Sequence, residues 1–234
     1  MKSLSNFSKS IKIPSNSPID DIIGGGIEKG IITQIYGPPT SGKTNISLQL
    51  AVNSAEMGKK VIYIDTEGGI SIDRIRQIAK NDFDSFASNF IIFEPLSFSS
   101  QHKDLKIVDN WLKTNSDDVD LVIIDSIIAL YRIVDNSKEV NQDLGKQMGL
   151  LSKISKKYNL AVLITNQIYS SFDVDGTNNS VVPAGGITLQ YWSKNIIELS
   201  KTEIIGERIA KVIRHRIIPE GVNIKFQITS NGIE

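Results

Sequence analysis

Cysteine is absent from the 234-residue chain, which excludes disulfides and thiolate metal sites and removes one sign of secretion. No apolar run approaches the roughly 20 residues needed to cross a bilayer. Met1 to Asn16 is polar and rich in Ser and Lys, without the apolar centre of a signal peptide. Net charge is missing as well. The 26 Lys and Arg balance 26 Asp and Glu, so any basic surface must be local. Internal repeats and low-complexity segments are also lacking. A cytoplasmic chain with one globular domain is expected, since single α/β domains often reach this size and 40% hydrophobic residues give an ordinary core.

What is present is organised around Gly37-Pro38-Pro39-Thr40-Ser41-Gly42-Lys43-Thr44. Gly, four residues, Gly-Lys-Thr is the pattern of a phosphate-binding loop. Gly37 and Gly42 permit backbone angles that a Cβ forbids, so the amides can turn inward as an anion nest. Thr44 and Asn45 open a helix whose N-terminal amides favour phosphate. Lys43 would reach the terminal phosphates of ATP, and the Thr44 hydroxyl would ligate Mg²⁺. The apolar run Ile31–Tyr36 before the loop and the helical spacing of Ile46, Leu48, Leu50 and Ala51 after it supply the strand–loop–helix setting.

Residues 1–18 read as a flexible lead-in and residues 19–234 as the core domain. Near-continuous apolar runs at Val61–Asp65, Phe90–Phe93, Leu121–Asp125 and Leu160–Ile164 read as strands, the longer ones buried on both faces. Helical spacing covers Ile72–Ala79, Ser99–Leu112 and residues 138–158. This alternation implies a parallel sheet with helices on both sides. From Tyr169 to Gly186 the pattern dissolves into Ser, Asp, Asn, Thr and Gly, a long loop of the kind that usually carries function. Ile196–Ser200, Glu207–Ile218 and Asn223–Thr229 read as strands that extend the sheet in antiparallel fashion.

Asp125 ends a strand after four apolar residues, where a carboxylate can hold Mg²⁺ through water; it could instead cap a helix starting near Ile127. Glu67, in Asp65-Thr66-Glu67-Gly68, is placed to activate the attacking water, or else is a solvated turn acid. Gln167 ends the Leu160 strand, where an amide could sense the γ-phosphate. On one strand, period-two geometry would put Arg208, Arg214 and Arg216 on one face, either binding DNA phosphates or keeping an edge strand soluble. Trp111, Tyr191 and Trp192 could stack bases, but each sits in an apolar-periodic segment that suits core packing.

Together these features resemble the RecA-type recombinase ATPases of the archaeal and eukaryotic branch over residues 19–234. The resemblance rests on Gly24–Gly26, the phosphate loop, Ile64–Gly68 with Arg74, Leu121–Asp125, Thr165–Gln167, Pro183–Gly186 and Phe226–Ile233. It implies a RecA-like P-loop ATPase core with a central, mostly parallel sheet and antiparallel C-terminal strands. It also implies that Glu67 activates water, that Arg74 lies against adenine, and that Gln167 couples the γ-phosphate to a DNA-binding loop at residues 168–185.

The departures from active recombinases are as informative. The N-terminal helical domain and the Phe-x-x-Ala polymerisation motif of those proteins are not seen. Their first DNA loop is Arg/Gly-rich, whereas Tyr131–Glu139 is short and mixed in charge. Their Asp-Ser-Pro segment, which caps ATP in the adjoining subunit, falls at Arg214-His215-Arg216. The chain is therefore similar to the short archaeal paralogues of that branch. This implies a weak ATPase that binds single-stranded or branched DNA, assists recombination and repair without strand exchange of its own, and meets a RadA-type recombinase or a structure-specific nuclease. An active recombinase, a KaiC-like regulatory ATPase and a nucleotide-gated scaffold are the alternatives.

Overall fold

The structure, a computed structural model, describes residues 10–131, 138–170, 181–183 and 185–234. The first half contains β1 (Lys12–Ile13), α1 (Ile19–Ile22), β2 (Ile27–Glu28), β3 (Ile32–Gly37), α2 (Lys43–Glu56), β4 (Lys60–Asp65), α3 (Ile72–Ile78), α4 (Phe83–Phe86) and β5 (Phe90–Phe93). Then come α5 (Phe98–Asn115), β6 (Val119–Asp125), α6 (Lys138–Tyr158), β7 (Ala161–Ser170) and β8 (Val181–Pro183). The chain closes with α7 (Gly186–Trp192), β9 (Asn195–Lys201), β10 (Glu207–Arg214), β11 (Asn223–Thr229) and β12 (Gly232–Ile233).

One sheet carries the order β12-β11-β10-β9-β3-β7-β6-β4-β5, with β8 beside β7. Period-two alternation explains how its central strands bury both faces. Val61, Tyr63, Leu121, Ile123 and Leu163 pack with Ile46, Leu50 and Ile75 of α2 and α3. Their chain neighbours Ile62, Ile64, Val122, Ile124 and Ile164 pack with Leu105, Val108, Leu144 and Met148 of α5 and α6. Parallel pairing of β3 with β7, β7 with β6, and β6 with β4 brings their C-terminal ends to one edge. That edge is where an α/β sheet receives its ligand.

Four expectations change here. Part of the expected lead-in is ordered against the core: β1 pairs with β2, and Ile13 and Ser15 are buried, while Ile11 and Asn16 stay exposed. β9 joins β3 in parallel, so the antiparallel extension begins only at β10. The strand expected over Glu207–Ile218 stops at Arg214, after a register shift between Val212 and Arg214. The long loop is shorter than its composition suggested, because β7 continues to Ser170, pairs with β8, and α7 follows. Residues 171–180 and 184 of that loop, and 132–137 of the expected first DNA loop, lie outside the described residues. Among the described residues, no helix is long and apolar enough to cross a membrane.

Candidate nucleotide site

The loop between β3 and α2 has the geometry its glycines require. A Cβ on Gly37 would stand 2.5 Å from the Leu199 carbonyl of β9, so only glycine lets that strand lie so close. Gly42 opens α2 with φ +102, a conformation L side chains rarely adopt, and its missing Cβ leaves room for Ile228. No side chain caps α2 and its first turn carries no acid, which leaves its leading amides open to an anion. The Ser41 hydroxyl is buried in the loop without a protein partner. Lys43 folds back over the loop, donating to the carbonyls of Gly37 at 3.0 Å and Pro38 at 2.9 Å. Burial lowers its pKa, which the nearby Glu67 and Asp125 carboxylates oppose.

Asp125, 5% exposed, accepts hydrogen bonds from the Thr165 hydroxyl and, at 2.8 Å, from the Tyr63 hydroxyl. Burial raises its pKa; the Thr165, Tyr63 and Thr44 hydroxyls pull it back, and Glu67 adds to the rise. Tyr63 is itself held protonated by burial, then by Asp125, and so acts as a donor. Residues 126–130 form turns, so Asp125 caps no helix near Ile127. Glu67 stands beside it. Its carboxylate accepts from the Ser126 hydroxyl at 2.7 Å and from the Gln167 amide at 2.9 and 3.0 Å to its two oxygens. Glu67 and Gln167, 100 residues apart, therefore touch directly.

Lys43, Glu67, Asp125 and Gln167 line one cavity of about 510 Å³, together with Pro39, Thr40, Gly42, Thr44, Asn45, Gly206, Arg208 and Ile228. Tyr63, Ser126 and Thr165 position its carboxylates, and Gly206, Arg208 and Ile228 close its far wall; sequence reasoning placed none of these six in the site. Thr165 and Ser126 adjoin residues that it did single out. The far wall carries no local signal, because it forms only when the β9–β10 hairpin and β11 fold over the loop.

Arg74 is not among the residues that line that cavity, but it bonds Asn45, which is. Its guanidinium donates to Asn45 at 2.7 Å and to the Thr229 and Ser230 carbonyls at 2.8 and 3.2 Å, tying α3 to α2 and the β11–β12 turn. The common face expected for Arg208, Arg214 and Arg216 does not form. Arg208 shares strand parity with the buried Ala210 and Val212 and bonds the Thr40 carbonyl of the loop. Arg214 donates to the Gln190 carbonyl at 2.6 Å, and Arg216, beyond the strand, pairs with Glu28 at 2.6 Å. The aromatic residues also separate: Trp111 and Trp192 pack against the core, while Tyr191 is 69% exposed.

The donor set fits a nucleoside triphosphate with Mg²⁺. The orphaned Ser41 hydroxyl, the uncapped α2 amides and Lys43 suit phosphate oxygens. Mg²⁺ keeps several waters and takes one or two protein oxygens, which the Thr44 hydroxyl and the Asp125 carboxylate can supply.

Comparison with known proteins agrees with this geometry. The Rad51 family model matches residues 8–234. The DNA repair and recombination protein RadB of Methanobrevibacter smithii is 55% identical over 235 residues, covering 100% of both chains. The RadB protein of Methanosphaera stadtmanae is 49% identical over 234 residues, again with 100% of each chain covered. A crystal structure of the RadB recombinase superposes with a TM-score of 0.81 at 35% identity, covering 95% of this chain and 98% of that one. On these matches and the RecA-like sheet that carries the site, the chain belongs to the Rad51 family of RecA-like proteins, in its RadB branch.

Proposed function

We propose that this chain is a cytoplasmic ATP- and DNA-binding accessory protein of homologous recombination and repair, with weak ATPase activity and no strand exchange of its own. The contact between Glu67 and Gln167 carries this reading. Glu67 is the group that activates water. Gln167 lies on β7, which leads into the segment read as the DNA-binding loop. A change at the γ-phosphate that moves the Glu67 carboxylate must therefore move Gln167.

The parts have separate tasks. Lys43 and the α2 amides bind the polyphosphate, and Arg74, anchored on Asn45, flanks adenine. Mg²⁺ held by Thr44 and Asp125 would neutralise charge on the phosphate oxygens. Weak turnover is consistent with the state of Glu67, because an attacking water must share a carboxylate already engaged by Ser126 and Gln167. The accessory role rests on the missing Phe-x-x-Ala motif and on Arg214-His215-Arg216 at the Asp-Ser-Pro position. The DNA is single-stranded or branched, and the protein partner is a RadA-type recombinase or a structure-specific nuclease. The Rad51 match favours the recombinase branch over a KaiC-like ATPase.

ATPase and strand-exchange assays on the purified chain, run side by side with the Lys43→Ala variant, test this function. Slow ATP turnover that requires Lys43, salt-dependent DNA binding and no strand exchange are expected. Strand exchange by the chain alone would reject the accessory role. Nucleotide affinity and turnover unchanged in Lys43→Ala would reject the phosphate loop.

A further inference from the structure

We infer that Arg208 is a nucleotide-binding residue acting within its own chain, bringing a second fixed positive charge to the polyphosphate from β10 while Lys43 brings the first from α2. The inference rests on the ATP reading above and extends it to a residue that strand periodicity would assign to DNA.

The register decides where this side chain goes. Arg208, Ala210 and Val212 alternate on one side of β10, and Ala210 and Val212 are completely buried. Arg208 is thus directed inward at the end of a core-facing row, where the phosphate loop lies. Its Nε and Nη2 donate to the Thr40 carbonyl at 3.2 and 3.1 Å, and its Nη1 donates to the Glu207 carbonyl at 2.7 Å. Thr40 holds φ +62, a left-handed conformation uncommon for a threonine. The guanidinium therefore braces the loop at a strained residue. A guanidinium has five N–H groups, and those three bonds leave two for a ligand in the cavity that Arg208 lines.

Charge makes the same case. Among the described residues lining this cavity, Lys43 and Arg208 are positive and Glu67 and Asp125 are negative. Removing Arg208 would leave a net negative wall facing a polyanion. An arginine whose orientation is already fixed by backbone carbonyls loses little freedom on meeting phosphate, and its planar fork suits phosphate oxygens. Arg214 and Arg216 are placed elsewhere, so Arg208 has no strand-face partner with which to form a DNA contact.

The test titrates Mg-ATP into the full chain as wild type, Lys43→Ala, Arg208→Ala, Arg208→Lys and Arg208→Gln, with a melting curve for each. Arg208→Ala should weaken Mg-ATP binding about tenfold or more, the loss expected for a charge-assisted hydrogen bond. Arg208→Lys should recover much of this affinity. Arg208→Gln, which retains an amide donor for the Thr40 carbonyl but no charge, should behave like Arg208→Ala. Equal affinities for the Lys and Gln variants would reduce Arg208 to a neutral loop brace and overturn the inference; this comparison holds even if Arg208→Ala fails to fold. Arg208→Ala should leave the salt dependence of nucleotide-free DNA binding unchanged, and a flatter slope would return the residue to DNA. Wild-type affinity that needs Lys43 but not Arg208 overturns this inference alone. A wild-type chain that binds no ATP overturns the ATP reading with it.

Discussion

The ends of β4 and β6 place the same residue side by side in register, Asp65 opposite Asp125, at 4% and 5% exposure. Their partners differ in kind. Asp65 accepts four backbone N–H groups, those of Glu67, Gly68 and Gly69 at 3.1, 2.9 and 3.1 Å and that of Ile70 at 2.9 Å. These donors belong to one turn and cannot leave without unfolding it. Asp125 is held by the Tyr63 and Thr165 hydroxyls, which rotate and can release an oxygen lone pair to another ligand. Equal burial therefore gives a structural carboxylate at one strand end and a chemically available one at the next. Glu67 stands where the two meet, presented by the Asp65 turn and held by Ser126 beside Asp125.

The largest effect is expected at that junction. Glu67→Gln keeps the size of the side chain and removes the base, so turnover should fall by about 10²- to 10⁴-fold while Mg-ATP still binds. A wild-type rate would move water activation to another residue. Next in size, Asp65→Ala leaves four turn amides without their acceptor and should cost about 3 kcal/mol in urea unfolding. A cost below about 1 kcal/mol would erase the contrast between the two aspartates.

Asp125→Asn should act in the opposite sense on stability. Burial raises the folded-state pKa of Asp125 above its unfolded value, so this group favours folding fully only below the unfolded pKa, and the contribution is lost as pH rises through the folded pKa. Asn should therefore raise the melting midpoint at pH 7 to 8 and lose that advantage near pH 4. In the ATP complex it should also weaken Mg²⁺ binding by about tenfold, at the scale of one charge-assisted contact. A midpoint lowered at neutral pH would mean that the carboxylate is structural after all.

The smallest effect is expected at a strand end that carries charge without burial. Arg214 at the end of β10 is exposed, and Arg216 is already paired with Glu28. Changing both to Ala should lower the slope of log DNA affinity against log salt by less than the about two units that two free phosphate contacts would give. The full two-unit loss would mean that DNA breaks the Glu28 pair.

Much of the molecule was legible from neighbouring residues. Apolar runs such as Val61–Ile64 and Leu121–Ile124 announce strands buried on both faces, and α6 runs over the expected 138–158. The phosphate loop, Glu67, Asp125 and Gln167 meet in one cavity as their motifs imply. Edges were harder to read. The two-residue strands β1 and β2 are too short to show a period, and the bulge before Arg214 breaks the alternation that would have kept three arginines together.

By itself the sequence determined the parallel core and the phosphate loop, because alternation, glycine torsions and a helix start depend on residues adjacent in the chain. Only the tertiary structure decided which carboxylate of an in-register pair stays available, since backbone amides reach Asp65 and hydroxyls from β4 and β7 reach Asp125. It also decided that Arg208 faces the phosphate loop. That outcome depends on β9 running parallel to β3 and β10 folding back beside it, so that a residue 168 positions from Thr40 becomes its hydrogen-bond partner.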